Sequence, residues 1–251
     1  MENKIKILLI ALVTISTMII YTKVFTQGIE EDFFPECPKY VGDLNKRGNV
    51  KNAAEAFELL LNQEDEIKDT IVSTSFLKEK GKPDDYYAPW KANDNNKNTA
   101  WVEGVKGDGI GEKIYINIIG RGIDDFKPLT INFNIINGYA ATEELFKANN
   151  RIKKAKLTIY EAKFDLCGGY YSKRYSDLIV NNYKIIDFPD TTNPQTIQMK
   201  IPTMESIKKK DIVAIATLFI AELEILEVYK GTKFSDTCIS EFNVKDIIDG
   251  K

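Results

Sequence analysis

Hydrophobic residues recur with two different periods along this chain, and the change falls near residue 70. Before it, Ala53, Ala56, Phe57, Leu60 and Leu61 share one side of a helical repeat. Asn52 stands just ahead of that run and Glu55 three residues further on, the arrangement of a capping box. The apolar stripe reads as a packing face. Beyond residue 70 the period is two. Ile114, Ile116 and Ile118 alternate with Tyr115 and Asn117, and Leu129, Ile131, Phe133 and Ile135 with Thr130, Asn132 and Asn134. Ala155, Leu157 and Ile159 alternate with Lys154, Lys156 and Thr158, while Cys238, Ser240, Phe242 and Val244 are expected on one face of a last strand. Such alternation buries one face and wets the other. It predicts an all-β fold of antiparallel sheets packed as a sandwich, with a short N-terminal helical segment. The absence of long helical patterns between strands argues against a doubly wound parallel sheet. Residues 163–211 are less regular, with Cys167-Gly168-Gly169 and three prolines (Pro189, Pro194, Pro202). They are expected to insert extra strands and loops.

The first 27 residues stand apart. Lys4 and Lys6 precede an uncharged run from Ile7 to Thr22, the charged and apolar regions of a signal peptide. Cleavage is expected near Thr26, and a retained membrane anchor through residues 7–22 is the other reading. Either places the protein outside the cytoplasm. Residues 28–69 then read as an arm and a helix, and 70–251 as the sandwich. The 34 basic and 37 acidic residues leave a net charge of −3, no footprint for nucleic acid. The chain has no histidine. That excludes Ser-His-Asp and Cys-His nucleophiles and any histidine-bound metal. Export permits a disulfide, but with only Cys37, Cys167 and Cys238 at most one bridge forms within the chain. Buried free thiols are the alternative.

Between Thr99 and Glu112 the sequence TAWVEGVKGDGIGE concentrates Gly104, Gly107, Gly109 and Gly111. It lacks the Lys-Ser/Thr of a phosphate-binding P-loop. The spacing is not that of a dinucleotide fingerprint, and a strand rather than a helix follows. These glycines therefore serve left-handed positions in a connection between strands. Together with INGYA (Ile136–Ala140), NNRIKKAKL (Asn149–Leu157) and YKGTKFSDTCISEF (Tyr229–Phe242), the stretch resembles the discoidin-like (coagulation factor V/VIII C-type) glycan-binding domain of secreted bacterial NAD glycohydrolases. The resemblance covers roughly residues 70–245. It implies a galactose-binding-like jelly roll and a carbohydrate or cell-surface ligand. Only nine residues follow Phe242, so the catalytic association of that family is not expected here.

Sugar recognition uses aromatic planes and fixed polar groups. The segment Asp84–Asn98 offers Tyr86, Tyr87 and Trp90 among many amides, in a loop preceding the strand of Trp101, which reads as core. Tyr87 and Trp90 have a second reading, as anchors of the loop on the sandwich rim. Tyr139 follows the expected Asn137-Gly138 turn. Arg151 either reaches a ligand or pairs with Glu143 or Glu144. Asp94, Asn96 and Asn98 alternate like the first ligands of an EF-hand, but Thr99 and Val105 stand where that loop needs Gly and Glu. A polar turn is one reading. A structural calcium site, held partly by backbone carbonyls, is what the resemblance implies; no other cofactor is expected. Glu222 and Glu224, with Glu227 past a bulge, are expected to form the solvated face of a strand. The Lys208-Lys209-Lys210 run is expected to be a solvated turn. The sequence thus reads as an exported, non-catalytic module binding a glycan or surface ligand. An envelope-anchored protein-interaction domain and a carboxylate-based glycan hydrolase are the alternatives.

Overall fold

The computed structural model describes residues 49–61, 71–122, 128–166, 173–175, 178–201 and 216–249. The apolar run 7–22, Cys37, Cys167 and Lys208–Lys210 lie outside them. The chain divides into two compact units, one of residues 1–39 and 166–174, the other of residues 40–165 and 175–251. The second carries the features described below.

In chain order the elements are α1 (Ala53–Leu61), β1 (Ile71–Ser73), a short 3-10 turn (Pro89–Ala92), β2 (Trp101–Val102), β3 (Lys113–Gly122), β4 (Leu129–Asn137), α2 (Glu143–Ala148), β5 (Asn150–Leu166), β6 (Lys173–Tyr175), β7 (Ile179–Asp187), β8 (Gln195–Ile201), β9 (Ala216–Tyr229) and β10 (Thr237–Asp249). One layer runs β1-β3-β9-β5-β7, antiparallel throughout. The other is built on β10, which pairs antiparallel with β2 and β4, with β8 beyond β4. The layers join where Thr237 and Cys238 run parallel to Asn150 and Arg151. The fold is a β-sandwich of the jelly-roll kind.

The alternating positions fill its core. Ile114, Ile116 and Ile118 of β3, Ala155, Leu157 and Ile159 of β5, and Leu129, Ile131, Phe133 and Ile135 of β4 are all buried in one cluster. Phe133 and Phe242 stack across paired strands at 5.8 Å. Each such side chain contributes about 1.5–3 kcal/mol by leaving water. Trp101 is fully buried, as its pattern required, and its indole N–H donates to the Ser75 carbonyl at 2.9 Å. The irregular segment supplies β7 and β8, which extend the two layers along β5 and β4.

Two expectations are corrected. The outer face of β3 is not wet at Tyr115, which is fully buried beneath α1 with Ala56, Phe57 and Leu60. The N-cap of α1 forms, with the Glu55 N–H donating to Asn52 Oδ1 at 3.0 Å, but Glu55 Oε2 accepts from Lys51 N rather than from the Asn52 N–H of a full capping box. Nor do Cys238 and Phe242 share a face. Cys238 pairs with β2 and packs with Ala100 and Val102, whereas Ile239 and Phe242 both enter the main core. The phase slips where β10 changes partner from β2 to β4. A bulge after Val244 slips it again, so that Ile247 packs inward.

Candidate functional site

The loops at the start of β5 and β10 form a tightly bonded end of the sandwich. Gly107, Gly109 and Gly111 hold φ of +120, +66 and +91, so the glycine loop is a connection that needs left-handed residues. Glu103 lies beneath it, fully buried, with its carboxylate accepting from Val105 N and Thr237 N. Burial pushes the Glu103 carboxyl up to about 7, against the pull of those two N–H groups. Asp108 accepts from Lys230 and from Asn150 Nδ2, tying the loop to β5 and to the turn after β9.

The expected ligand residues occupy this end unequally. Arg151 is 6% exposed and committed inward. It grips Asp190 with Nε and Nη2 at 3.0 and 2.6 Å, and Nη1 donates to the carbonyls of Asn149 and Lys230. Its partner is thus Asp190, not Glu143 or Glu144. Tyr87 donates to Glu79 at 2.9 Å and packs on the Cys238 cluster. Trp90 packs on the main core beside Phe76. Tyr86 keeps the most surface. It is edge-on to Tyr87 at 4.7 Å, with the Lys82 ammonium over its ring. Tyr139 is half-buried, and burial, then the neighbouring Tyr86 phenol, push its hydroxyl up to about 12. Of the five, the structure brings Tyr86, Tyr87 and Tyr139 together; Trp90 and Arg151 serve packing and bonding elsewhere.

The stretch from Lys91 to Thr99 has a different character. Thr99 Oγ1 lies 2.9 and 2.8 Å from the two Asp94 carboxylate oxygens, 2.7 Å from the Asn96 carbonyl and 3.3 Å from the Lys91 carbonyl. Asp94 Oδ1 also accepts from Asn96 N at 3.0 Å and the Asn96 carbonyl from Thr99 N at 2.9 Å, and the single Thr99 hydroxyl proton goes to one of these oxygens. Glu241 of β10 lies near this turn, close enough for the Asp94 charge to act on it. It is 3% exposed, its Oε1 takes no well-formed hydrogen bond, and its Oε2 accepts from Asn243 Nδ2 at 3.0 Å. Burial and then the Asp94 charge raise its pKa; the nearby N–H groups of Asn95 and Asn96 lower it less. The loop from Lys91 to Thr99 is thus closed by its own N–H and O–H donors. The Asn98 N–H donates to Asn96 Oδ1 at 3.1 Å, a second Asx turn in the same loop.

Beside this loop lies an open groove of about 480 Å³, lined by Asn93, Asn95, Asn134, Asn243, Val244 and Lys245. Its floor is the outer face of β4 and β10. Asn134 and Asn243 stand directly opposite each other there, because their neighbours Phe133, Ile135 and Phe242 point into the core. The amide ladder continues through Asn132, which donates to Asp246 Oδ1 at 2.6 Å and accepts from Gln198. Sequence reading missed this surface. The available signal was that the wet half of the β4 alternation is amide rather than charged.

Glu222 is a further correction. It is 2% exposed rather than solvated, with Tyr160 Oη at 3.4 Å and Lys113 Nζ at 3.6 Å. Glu224 shares Lys113 at 4.0 Å, and Glu227 pairs with Lys153 and Lys154. These carboxylates serve ion pairs on the sheet; none lines the groove.

Among solved structures, the arabinofuranosyltransferase AftD from Mycobacteria is 15% identical over 72% of this chain, with a TM-score of 0.35. This chain spans 12% of that protein's length. A CBM4 structure is 12% identical, covering 61% of this chain and 89% of its own, with a TM-score of 0.27. No curated protein matches. Residues 63–245 match the NAD glycohydrolase translocation F5/8 type C domain, and the chain belongs to that discoidin-like family.

Proposed function

We propose that this protein is an exported, non-catalytic module that binds a polyhydroxylated glycan in the groove between the 93–95 loop and the β4–β10 face. The observation that carries this reading is the convergence of four asparagines on one concavity. Each side-chain amide both donates and accepts, which matches a sugar hydroxyl that does both. Lys245 adds a cationic donor at the rim, favouring acidic or phosphorylated glycans. The family's discoidin-like character supports a binding role. Residues 1–27 act as the export signal or anchor, residues 28–69 as an arm and helix, and 70–251 as the binding sandwich. A structural calcium at the turn of Asp94, Asn96 and Asn98, which the family resemblance implies, would fix the path of this loop.

The test is a glycan array probed with the full chain and with Asn134→Ala. Asn134 has no side-chain hydrogen bond among the described residues, so its loss should leave the fold intact by circular dichroism. Array signal is expected to fall about tenfold, the loss of one or two well-formed hydrogen bonds. An unchanged signal would move the site away from the groove.

A further inference from the structure

We infer that the glycan lies lengthwise across the outer face of β10, β4 and β8, as an internal stretch of an acidic chain that continues from the groove to Lys200. This rests on the groove reading above and adds a second region of contact to it. Strand register sets the path. Asn243 stands opposite Asn134, and Asn134 opposite Thr196. In the next row Asp246, Asn132 and Gln198 stand opposite one another, and beyond it Ile248, Thr130 and Lys200. Residues directly opposite share a face, so the three rows form one surface, while Ile131, Phe133 and Met199 between them point into the core. Successive rows lie about 6.8 Å apart and neighbouring strands about 4.8 Å. Asn134 and Lys200 are therefore about 14 Å apart, farther than one sugar ring reaches.

The face is built before any ligand arrives. Gln198 donates to Asn132 at 3.3 Å, and Asn132 donates to Asp246 at 2.6 Å. In the groove Asn243 donates to the Glu241 carboxylate at 3.0 Å. Each bond fixes which end of an amide is engaged, so Asn243 turns its carbonyl oxygen, and Gln198 its carbonyl and second N–H, toward other partners. Groups already held in place lose little freedom on binding. Ile248 is 51% exposed among these polar groups, and it gives the C–H side of a sugar ring an apolar contact. Charge selects the chain. Lys245 lines the groove and Lys200 ends the far row; both are exposed, and neither has an ion pair among the described residues. The acid of these rows, Asp246, already accepts the Asn132 amide. Two separated ammonium groups match acidic groups repeated along a polymer better than one acid on a terminal sugar.

The test uses the full chain on an array that carries uronic-acid, sulfated, phosphorylated and neutral glycans, each from a single sugar to a chain of eight. Wild-type signal should rise at least tenfold from the single sugar to the longest acidic chain. Lys200→Ala and Gln198→Ala should each remove most of that rise and leave the single-sugar signal within twofold. Both side chains are exposed, and Asn182 bonds the Lys200 carbonyl rather than its side chain, so circular dichroism should not change. Asn134→Ala should lower the signal at every length. Equal signals from short and long chains, still lost in Asn134→Ala, would overturn the lengthwise path and leave the groove in place. A rise that both β8 variants leave intact would reflect more copies of a short epitope and would overturn the path too, as would stronger signals from neutral than from acidic chains. Signals untouched by Asn134→Ala at all lengths would overturn the groove reading and this inference with it, and so would an array blank at every length.

Discussion

Arg151 and Asp190 form a two-pronged ion pair, Nε to Oδ1 at 3.0 Å and Nη2 to Oδ2 at 2.6 Å, that ties the first turn of β5 to the loop between β7 and β8. The same guanidinium donates to the carbonyls of Asn149 and Lys230 and lies 5.1 Å from the Phe146 ring centre. One planar cation with five donors thus joins the Asp190 loop and the Lys230 turn to the start of β5 and packs on the Phe146 ring, which a lysine could not do. Arg151→Ala is expected to lower stability by about 2–3 kcal/mol, since two carbonyls lose their partner while Asp190 stays hydrated at 40% exposure. Arg151→Lys should recover only part of this. Urea unfolding midpoints measure both, and a midpoint unchanged in the alanine variant would refute the clamp.

The glycine loop gives a paired test of backbone against packing. Gly111 has a φ of +91 with open space where a side chain would start, whereas at Gly109, φ +66, a methyl group would sit 2.5 Å from Glu103 Cγ. Gly111→Ala should cost about 1–2 kcal/mol, the strain of a left-handed residue. Gly109→Ala should cost more, because the buried Glu103 must also move and would loosen its bonds to Val105 and Thr237. Equal costs would show that the loop yields without disturbing Glu103.

Stability should depend on pH in a window set by the same carboxylate. Glu103 has its pKa raised from 4.5 to about 7 by burial, so the folded state holds its proton more tightly than the unfolded chain does. Stability is then highest below about 4.5 as far as this group is concerned, and is lost as pH rises through about 7. Asp236 and Glu241 are shifted the same way, and the chain contains no histidine to blur the window. Unfolding midpoints between pH 5 and 8 should therefore fall as pH increases, with a shallower slope in Glu103→Gln. A rising profile would contradict the assigned direction.

How much of this was legible in the sequence follows from the range of each interaction. The cap at Asn52 and Glu55 and the β4 alternation are local, and both hold. Tyr115 and Glu222 misled because alternation marks two faces without saying that α1 or neighbouring strands cover the second. The turn at Asp94, Asn96 and Asn98 is local, and its Asx bonds form, while the approach of Glu241 to Asp94 is a contact between distant segments. Asn134 and Asn243 meet through strand register, which no local pattern encodes. Trp90 carried two readings, ligand aromatic or anchor on the rim, because exposure is not written in residue type; in the structure it packs against the core.

The two candidate surfaces are separated most directly at Tyr86. It is 37% exposed, the most accessible of the aromatics expected to bind, and it stands with Tyr87 and Tyr139 at the loop end rather than in the groove. A sugar stacked there would make it an anchor, and Tyr86→Ala would then weaken binding by about 1–3 kcal/mol. The groove assignment expects otherwise. Tyr86 lines no part of that concavity, and Lys82 already covers one face of its ring at 4.5 Å. Tyr86→Ala should therefore retain glycan within about twofold of the wild type, with a modest loss of stability as Tyr87 and Tyr139 lose a neighbour. Asn134→Ala should do the reverse, keeping the melting temperature and losing the glycan. If the two variants exchange these outcomes, recognition belongs to the loop end and the amide face of β4 and β10 is only a solvated surface.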